Sequence, residues 1–151
     1  MDNEYSDSFI KKVLEDAKSI AIVGASPNKE RDSHKVMKYL LEKGYEIFPV
    51  NPNESGNMIL GQYCFDDLES IKKPVDIVDV FRANKAVIGI AEQSISIGAK
   101  VLWTQENIVH EEAAKLAENA GLKVVMDRCP KKELSKSYWT PKTKKLLIDL
   151  I

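Results

Sequence analysis

Ser19-Ile-Ala-Ile-Val-Gly-Ala-Ser-Pro-Asn-Lys-Glu-Arg-Asp-Ser-His-Lys35 decides the fold of this chain. Its apolar run stops at Gly24, a polar loop of small residues and cations follows, and an amphipathic run begins near Ser33. The pattern predicts a strand, a loop of phosphate size and a helix start. Backbone N–H groups at a helix N-terminus favour anions. Lys29, Arg31 and Lys35 add positive charge to that setting, so a phosphorylated ligand is expected there.

Moving outward, three later segments share one grammar: Gly44-Tyr-Glu-Ile-Phe-Pro-Val50, Gly98-Ala-Lys-Val-Leu-Trp103 and Gly121-Leu-Lys-Val-Val-Met126. Each glycine suits the position just past a helix end. Each apolar run suits a strand covered on both faces. Stripes at helical spacing precede them: Val36, Leu40 and Leu41; Val87, Ile90, Ala91, Ser94 and Ile95; Ala113, Leu116, Ala117 and Ala120. Further strands are expected over residues 20–23 and 75–80. Alternating β and α elements imply a Rossmann-like, three-layer α/β/α fold, with an open, mainly parallel sheet of about five strands in the order 3-2-1-4-5. The third place falls either to a short strand near residues 58–60 or to a loop, with the strand near Val75 taking its count.

The chain has 151 residues, 44% hydrophobic and 30% charged, which suits one domain over residues 1–151 with one core. Phe9, Ile10, Val13, Leu14 and Ala17 predict an N-terminal helix within residues 1–18 that docks on the sheet. Residues 130–151 form an expected helical tail, basic at Lys142, Lys144 and Lys145 and then apolar. The tail is either an extra helix on the domain or a contact for a second subunit or partner protein. A net charge of -1 argues against general nucleic-acid binding. No apolar run approaches the ~20 residues that span a membrane, and the acidic start carries no secretory signature. The two cysteines, Cys64 and Cys129, form no CxxC pair, so a cytoplasmic setting without structural zinc is expected.

Ligands of open parallel sheets bind beyond the carboxyl ends of the strands. There the sequence places Gly24-Ala-Ser-Pro, Asn51-Pro52, Phe81-Arg82, Thr104-Gln105 and Asp127-Arg128-Cys129. A dinucleotide fingerprint needs glycines at G-x-G-x-x-G spacing, but Ser26 and Lys29 hold the second and third places. The acidic residue expected after the second strand is replaced by Asn51-Pro52, and no P-loop motif occurs.

Gly24-Ala-Ser-Pro-Asn with Arg31 and Ser33-His-Lys, Val50-Asn-Pro-Asn, Pro74-Val-Asp-Ile-Val-Asp-Val-Phe-Arg82, Ile97-Gly-Ala-Lys and Val125-Met-Asp-Arg-Cys129 together resemble the small stand-alone CoA-binding domain family. That family is similar to the N-terminal CoA-binding domain of succinyl-CoA synthetase α subunits. The resemblance covers about residues 18 to 135. It implies coenzyme A, free or acylated, as the ligand. The residues it implies are Gly24, Ala25, Ser26, Pro27, Arg31, Ser33, His34 and Lys35 around the phosphates. Asn51, Pro52, Phe81 and Arg82 would lie along the adenosine or ribose. Gln105, Asp127, Arg128 and Cys129 would lie along the pantetheine arm.

Other roles stand beside these. Arg31 meets either a phosphate or Glu30 and Asp32; Arg82 meets either a phosphate or Asp79. His34 and His110 lie at helix starts, where capping is the ordinary role. Cys129 precedes Pro130 beside Arg128, a setting in which thiols turn reactive. It is expected either to form a mixed disulfide with CoA or to be an inert turn cysteine. No self-contained catalytic or metal-binding constellation is evident, so a CoA-binding carrier, sensor or regulatory module is expected. The alternatives are an enzyme component that acts on CoA thioesters with a partner chain, or a divergent NAD(P)-binding domain.

Overall fold

The computed structural model describes residues 5–136. The expected tail beyond residue 136 lies outside the described residues. Helix α1 (Asp7–Asp16) leads into β1 (Ser19–Val23), α2 (Asp32–Glu42) and β2 (Glu46–Val50). A hairpin of β3 (Met58–Ile59) and β4 (Gln62–Tyr63) follows, then β5 (Ile77–Val80), α3 (Asn84–Ser96) and β6 (Val101–Thr104). The chain continues through α4 (Glu111–Asn119), β7 (Lys123–Val125) and α5 (Pro130–Leu134).

Five strands form one parallel sheet in the order β2-β1-β5-β6-β7. This is the winding of the expected 3-2-1-4-5 pattern: outward from β1 on one side, then back across it to the other. The third place beside β2 is held by a single parallel bridge, Val50 to Phe65. The segment 58–60 does not enter that sheet. Leu60 and Gly61 adopt φ of 48° and 79°, a tight reversal that folds β3 back onto β4 as an antiparallel hairpin.

Side chains alternate across the strands. Ile20, Ile22, Ile77, Val101 and Trp103 pack under α1 and α2 through Ile10, Val13, Leu14, Val36, Met37 and Leu40. Ala21, Val78, Val80 and Leu102 pack on the other face, under Val87, Ile90 and Ala91 of α3 and Ala113, Ala114 and Ala117 of α4. Most of each helical stripe read from the sequence is the buried face, and the three layers follow; in α4, Leu116 is exposed and Ala114 takes its place in the core. Burying an indole or a large aliphatic side chain stabilises by about 1.5–3 kcal/mol, and Trp103 is fully buried at the centre.

Polar groups lock the amino end of the sheet. The Asp76 carboxylate accepts from the backbone N–H of Lys18 at 2.7 Å and of Ser19 at 3.2 Å. Burial works against its charge, but these bonds and Lys100 hold the carboxyl below its usual range. The Tyr45 hydroxyl donates to the Leu14 carbonyl at 2.6 Å, which ties α1 to the start of β2. Burial pushes that phenol up to about 12. The amino edge is thus closed by structure, and the carboxyl edge is left for function.

Candidate functional site

Each strand of the parallel sheet hands its ladder to a loop at the carboxyl edge. Gly24 N–H donates to the Val50 carbonyl at 2.9 Å, Phe81 N–H to Val23 at 2.8 Å and Gln105 N–H to Val80 at 3.1 Å. These junctions line an open cleft of about 1070 Å³. Its walls contain Gly24, Ala25, Ser26, Arg31, Ser33 and Lys35 from the first loop, with Asn51, Phe81, Arg82, Gln105 and Cys129 from the other strand ends.

Gly24 fixes how the first loop leaves the sheet. Its φ is +95°, and a Cβ there would lie 2.7 Å from the Phe81 carbonyl oxygen and 3.1 Å from Arg82 Cδ. Only glycine lets the loop rest directly on the end of β5. The loop then braces itself. Ser26 Oγ accepts from Asn28 N–H at 3.1 Å, and Asn28 Oδ1 accepts from Glu30 N–H at 2.9 Å.

Several residues expected to touch a ligand make hydrogen bonds or ring contacts within the protein. His34 is buried and donates through Nδ1 to the Ser26 carbonyl at 2.9 Å, holding the loop from below. Asn51 donates through Nδ2 to the Ala25 carbonyl at 2.8 Å and accepts at Oδ1 from Asn53 N–H at 2.9 Å. Asp127, at a φ of 62°, accepts from Asn107 N–H at 2.6 Å and so positions the loop after β6. Arg128 turns toward α1, where its guanidinium stacks 5.3 Å from the Tyr5 ring. The Trp103 indole N–H donates to the Arg128 carbonyl at 2.8 Å and anchors that turn. Pro27 and Pro52 are exposed beside the loops. Pro27, His34, Pro52, Asp127 and Arg128 do not form the cleft wall.

The cleft also takes Glu30 and Asp32, which the sequence offered only as partners of Arg31, and residues that the sequence reading passed over: Asn53, Ala83, Glu106, Asn107, Ile108, Lys131 and Lys132. Most follow a strand end by two to seven positions, a signal available in the sequence. Lys131 and Lys132 sit on the first turn after Cys129-Pro130.

Charge is distributed unevenly. Five basic side chains line the cleft against three acidic ones, in a chain whose net charge is -1. Lys132 pairs with Glu106 at 2.8 and 3.0 Å across the rim, and Lys131 stacks 5.7 Å from the Tyr39 ring. Arg31, Lys35 and Arg82 have no side-chain partner among the described residues. The alternative pairings of Arg31 with Glu30 or Asp32, and of Arg82 with Asp79, are thus not formed. The helices that open on the cleft, α2 after Arg31 and α3 after Ala83, have no side-chain cap. By contrast, Ser6 caps α1 and His110 caps α4, the role expected of that histidine. Free N–H groups at two helix starts and three unpaired cations suit an anionic ligand.

Beneath this wall lies Asp79, fully buried in β5 between Ile22 and Trp103. Burial pushes its carboxyl well above the usual carboxylate range. With the Gln105 amide oriented to satisfy both groups, its NH2 donates to the two Asp79 oxygens at 3.1 Å each. Cys129 is buried at the start of α5, and Cys64 is buried deeper; burial raises the Cys64 thiol above its ordinary value. No group of three or more His, Cys, Asp or Glu side chains is placed to hold a metal among the described residues. No helix among them is long and apolar enough to cross a membrane.

Known proteins share this arrangement. The profile of the CoA binding domain matches residues 18–135. The Bacillus subtilis protein YneT is 40% identical over 126 residues, covering 83% of this chain and 92% of that protein. The solved structure of a hypothetical protein from Pyrococcus horikoshii is 43% identical, with a TM-score of 0.82 over 87% of this chain and 92% of the other. An ADP-forming acetate–CoA ligase of Archaeoglobus fulgidus is 27% identical over 122 residues; the match covers 74% of this chain and 18% of the ligase. With its profile spanning the whole parallel sheet and every loop of the cleft, this chain belongs to the CoA-binding domain family.

Proposed function

We propose that the chain binds coenzyme A, free or acylated, in the cleft at the carboxyl edge of the sheet. One observation carries this: three unpaired cations and two uncapped helix starts converge on a glycine-built loop, in a member of the CoA-binding domain family. CoA carries a diphosphate and a 3′-phosphate, and a terminal monoester alone holds about -1.5 to -2 charges at neutral pH. Arg31, Lys35 and the first turn of α2 are assigned to phosphate. Arg82 and Ala83 at the start of α3 form the facing wall, and Gln105 and Cys129 line the remainder. Cys129 lies in that wall, so its exchange with the disulfide form of CoA, which leaves a Cys129–CoA mixed disulfide and releases one CoA thiol, belongs to this proposal.

The role is that of a binding module, a carrier, sensor or regulator, rather than a self-contained enzyme. The lining offers cations, three carboxylates, amides, two serine hydroxyls and one thiol, with no nucleophile hydrogen-bonded to a base among the described residues. The second proposal is an enzyme component completed by a partner chain. It is favoured by the Archaeoglobus ligase, in which the matched region is 18% of a longer chain. Native mass spectrometry of freshly purified protein tests the first proposal. A bound mass equal to CoA or an acyl-CoA is expected, and a bound dinucleotide such as NADPH would overturn it.

A further inference from the structure

Asp79 is the one acidic side chain in the buried strand segments of the sheet, and nothing in the fold requires it there. Its neighbours in register are Ile22 and Trp103, and an apolar residue would continue both. A buried carboxyl without a partner is costly, and Gln105 is its only polar partner among the described residues. Gln105 lies on the same face of the sheet, two residues beyond Trp103, and forms part of the cleft wall. The pair therefore links a fully buried acid to the surface that meets the ligand.

An amide serves either form of the acid. When Asp79 is ionised, Gln105 NH2 donates to it, and the amide oxygen is the end turned away. When Asp79 is protonated, its hydroxyl donates to the amide oxygen, and the NH2 is turned away. The NH2 lies 3.1 Å from both Asp79 oxygens in the first arrangement, and a half-turn of the amide puts its oxygen in that place.

We propose that Asp79 is a proton-linked positioning residue: through Gln105 its protonation state sets which end of the amide is turned away from it, and binding of an anionic ligand in the cleft is coupled to proton uptake at Asp79. This rests on the proposal that CoA is the ligand. A polyanion beside a poorly solvated carboxylate favours its neutral form by like-charge repulsion. The same binding step then presents a donor in place of an acceptor, which suits the carbonyl groups of a pantetheine arm or thioester.

Other titratable groups on this side of the sheet must be separated from Asp79. Helix α1 buries only Ile10, Val13 and Leu14, with Tyr5 ahead of it. Helix α2 contributes His34; the β2 side contributes Tyr45 and Cys64; and the turn into α5 contributes Cys129. Helix α5 contributes Glu133, which pairs with Lys136 at 3.0 Å.

The test is a carboxyl 13C NMR titration of Asp79 in free and CoA-saturated full-length protein. The signal is assigned by its absence in Asp79→Asn, or by through-bond assignment should that variant not fold. An upward shift of the Asp79 midpoint by about one pH unit on CoA binding is expected. Calorimetry in two buffers of different ionisation heat, at the pH of the free Asp79 midpoint, should show proton uptake that falls in Asp79→Asn. Uptake that is undiminished in the variant belongs to groups other than Asp79 and overturns the inference. CoA binding with an unmoved Asp79 midpoint also overturns it, while leaving CoA as the ligand. Absence of CoA binding in the same titration overturns both.

Discussion

Gly24→Ala and Gly44→Ala form a matched pair that isolates the contact between the first loop and β5. The two glycines share a positive φ, +95° and +96°. Each substitution carries the left-handed cost of an L residue, about 1–2 kcal/mol. They differ in surroundings. A Cβ on Gly44 meets nothing within 4 Å, whereas one on Gly24 lies 2.7 Å from the Phe81 backbone oxygen. A backbone oxygen cannot swing aside, so β5 or the loop must shift. Overpacking of this kind costs about a further 1–3 kcal/mol. Gly24→Ala should therefore lose about 2–5 kcal/mol and Gly44→Ala about 1–2 kcal/mol. Urea unfolding measures both, and an unchanged m value confirms that stability itself has moved. Because the shift falls on the cleft wall, Gly24→Ala should also weaken CoA binding while Gly44→Ala leaves it intact. Equal losses of stability in the two variants would refute the claim that the loop rests on β5.

Arg82→Ala should weaken CoA binding about ten- to a hundredfold by calorimetry, the loss of one charge-assisted hydrogen bond, while changing stability by less than about 0.5 kcal/mol. The Asp79 carboxyl is raised by burial, so the unfolded chain ionises first as pH rises. Its contribution to stability is full below about pH 3.9 and is lost as pH climbs toward the folded value. Asp79→Asn should therefore gain on the wild type in urea unfolding as pH rises above about 4, at up to about 1.4 kcal/mol per pH unit until the folded carboxyl ionises. Tyr45→Phe should cost about 1 kcal/mol in urea unfolding through the lost bond to Leu14. The same variant should remove one tyrosine from the ultraviolet titration phase near pH 12. Incubation with the disulfide of CoA should join CoA to Cys129 by thiol–disulfide exchange, one CoA leaving as its thiol. Peptide mapping should find the adduct on Cys129 rather than on the fully buried Cys64.

The sheet was legible because its five strands are mainly apolar runs, closed by punctuating residues. Gly24, Asn51 and Arg82 each lie within two residues of a strand end and locate the edge of the site. The hairpin was not legible. Met58 and Ile59 show no alternation long enough to assign a partner, and the reversal depends on Leu60 in a conformation leucine rarely adopts. Within the site, the sequence identifies which residues reach the cleft edge but not where their polar atoms point. His34, Asn51 and Asp127 carry the chemistry of ligand contacts, yet the loops use their hydrogen bonds as internal braces. The lysines of α5 escaped notice because α5 is only five residues long and brings them back over the cleft after the last strand. Asp79 read as one of two partners open to Arg82, a phosphate being the other, but alternation in β5 places it beneath the sheet surface, facing Gln105.

Calorimetric titration of ligand-stripped protein with CoA, and then with NADPH as a competitor, tests the central claim most directly. Saturable one-site binding of CoA, weakened by Arg31→Ala and undisturbed by NADPH, is the expected result. Binding of NADPH that displaces CoA, or no binding of CoA at all, would contradict it.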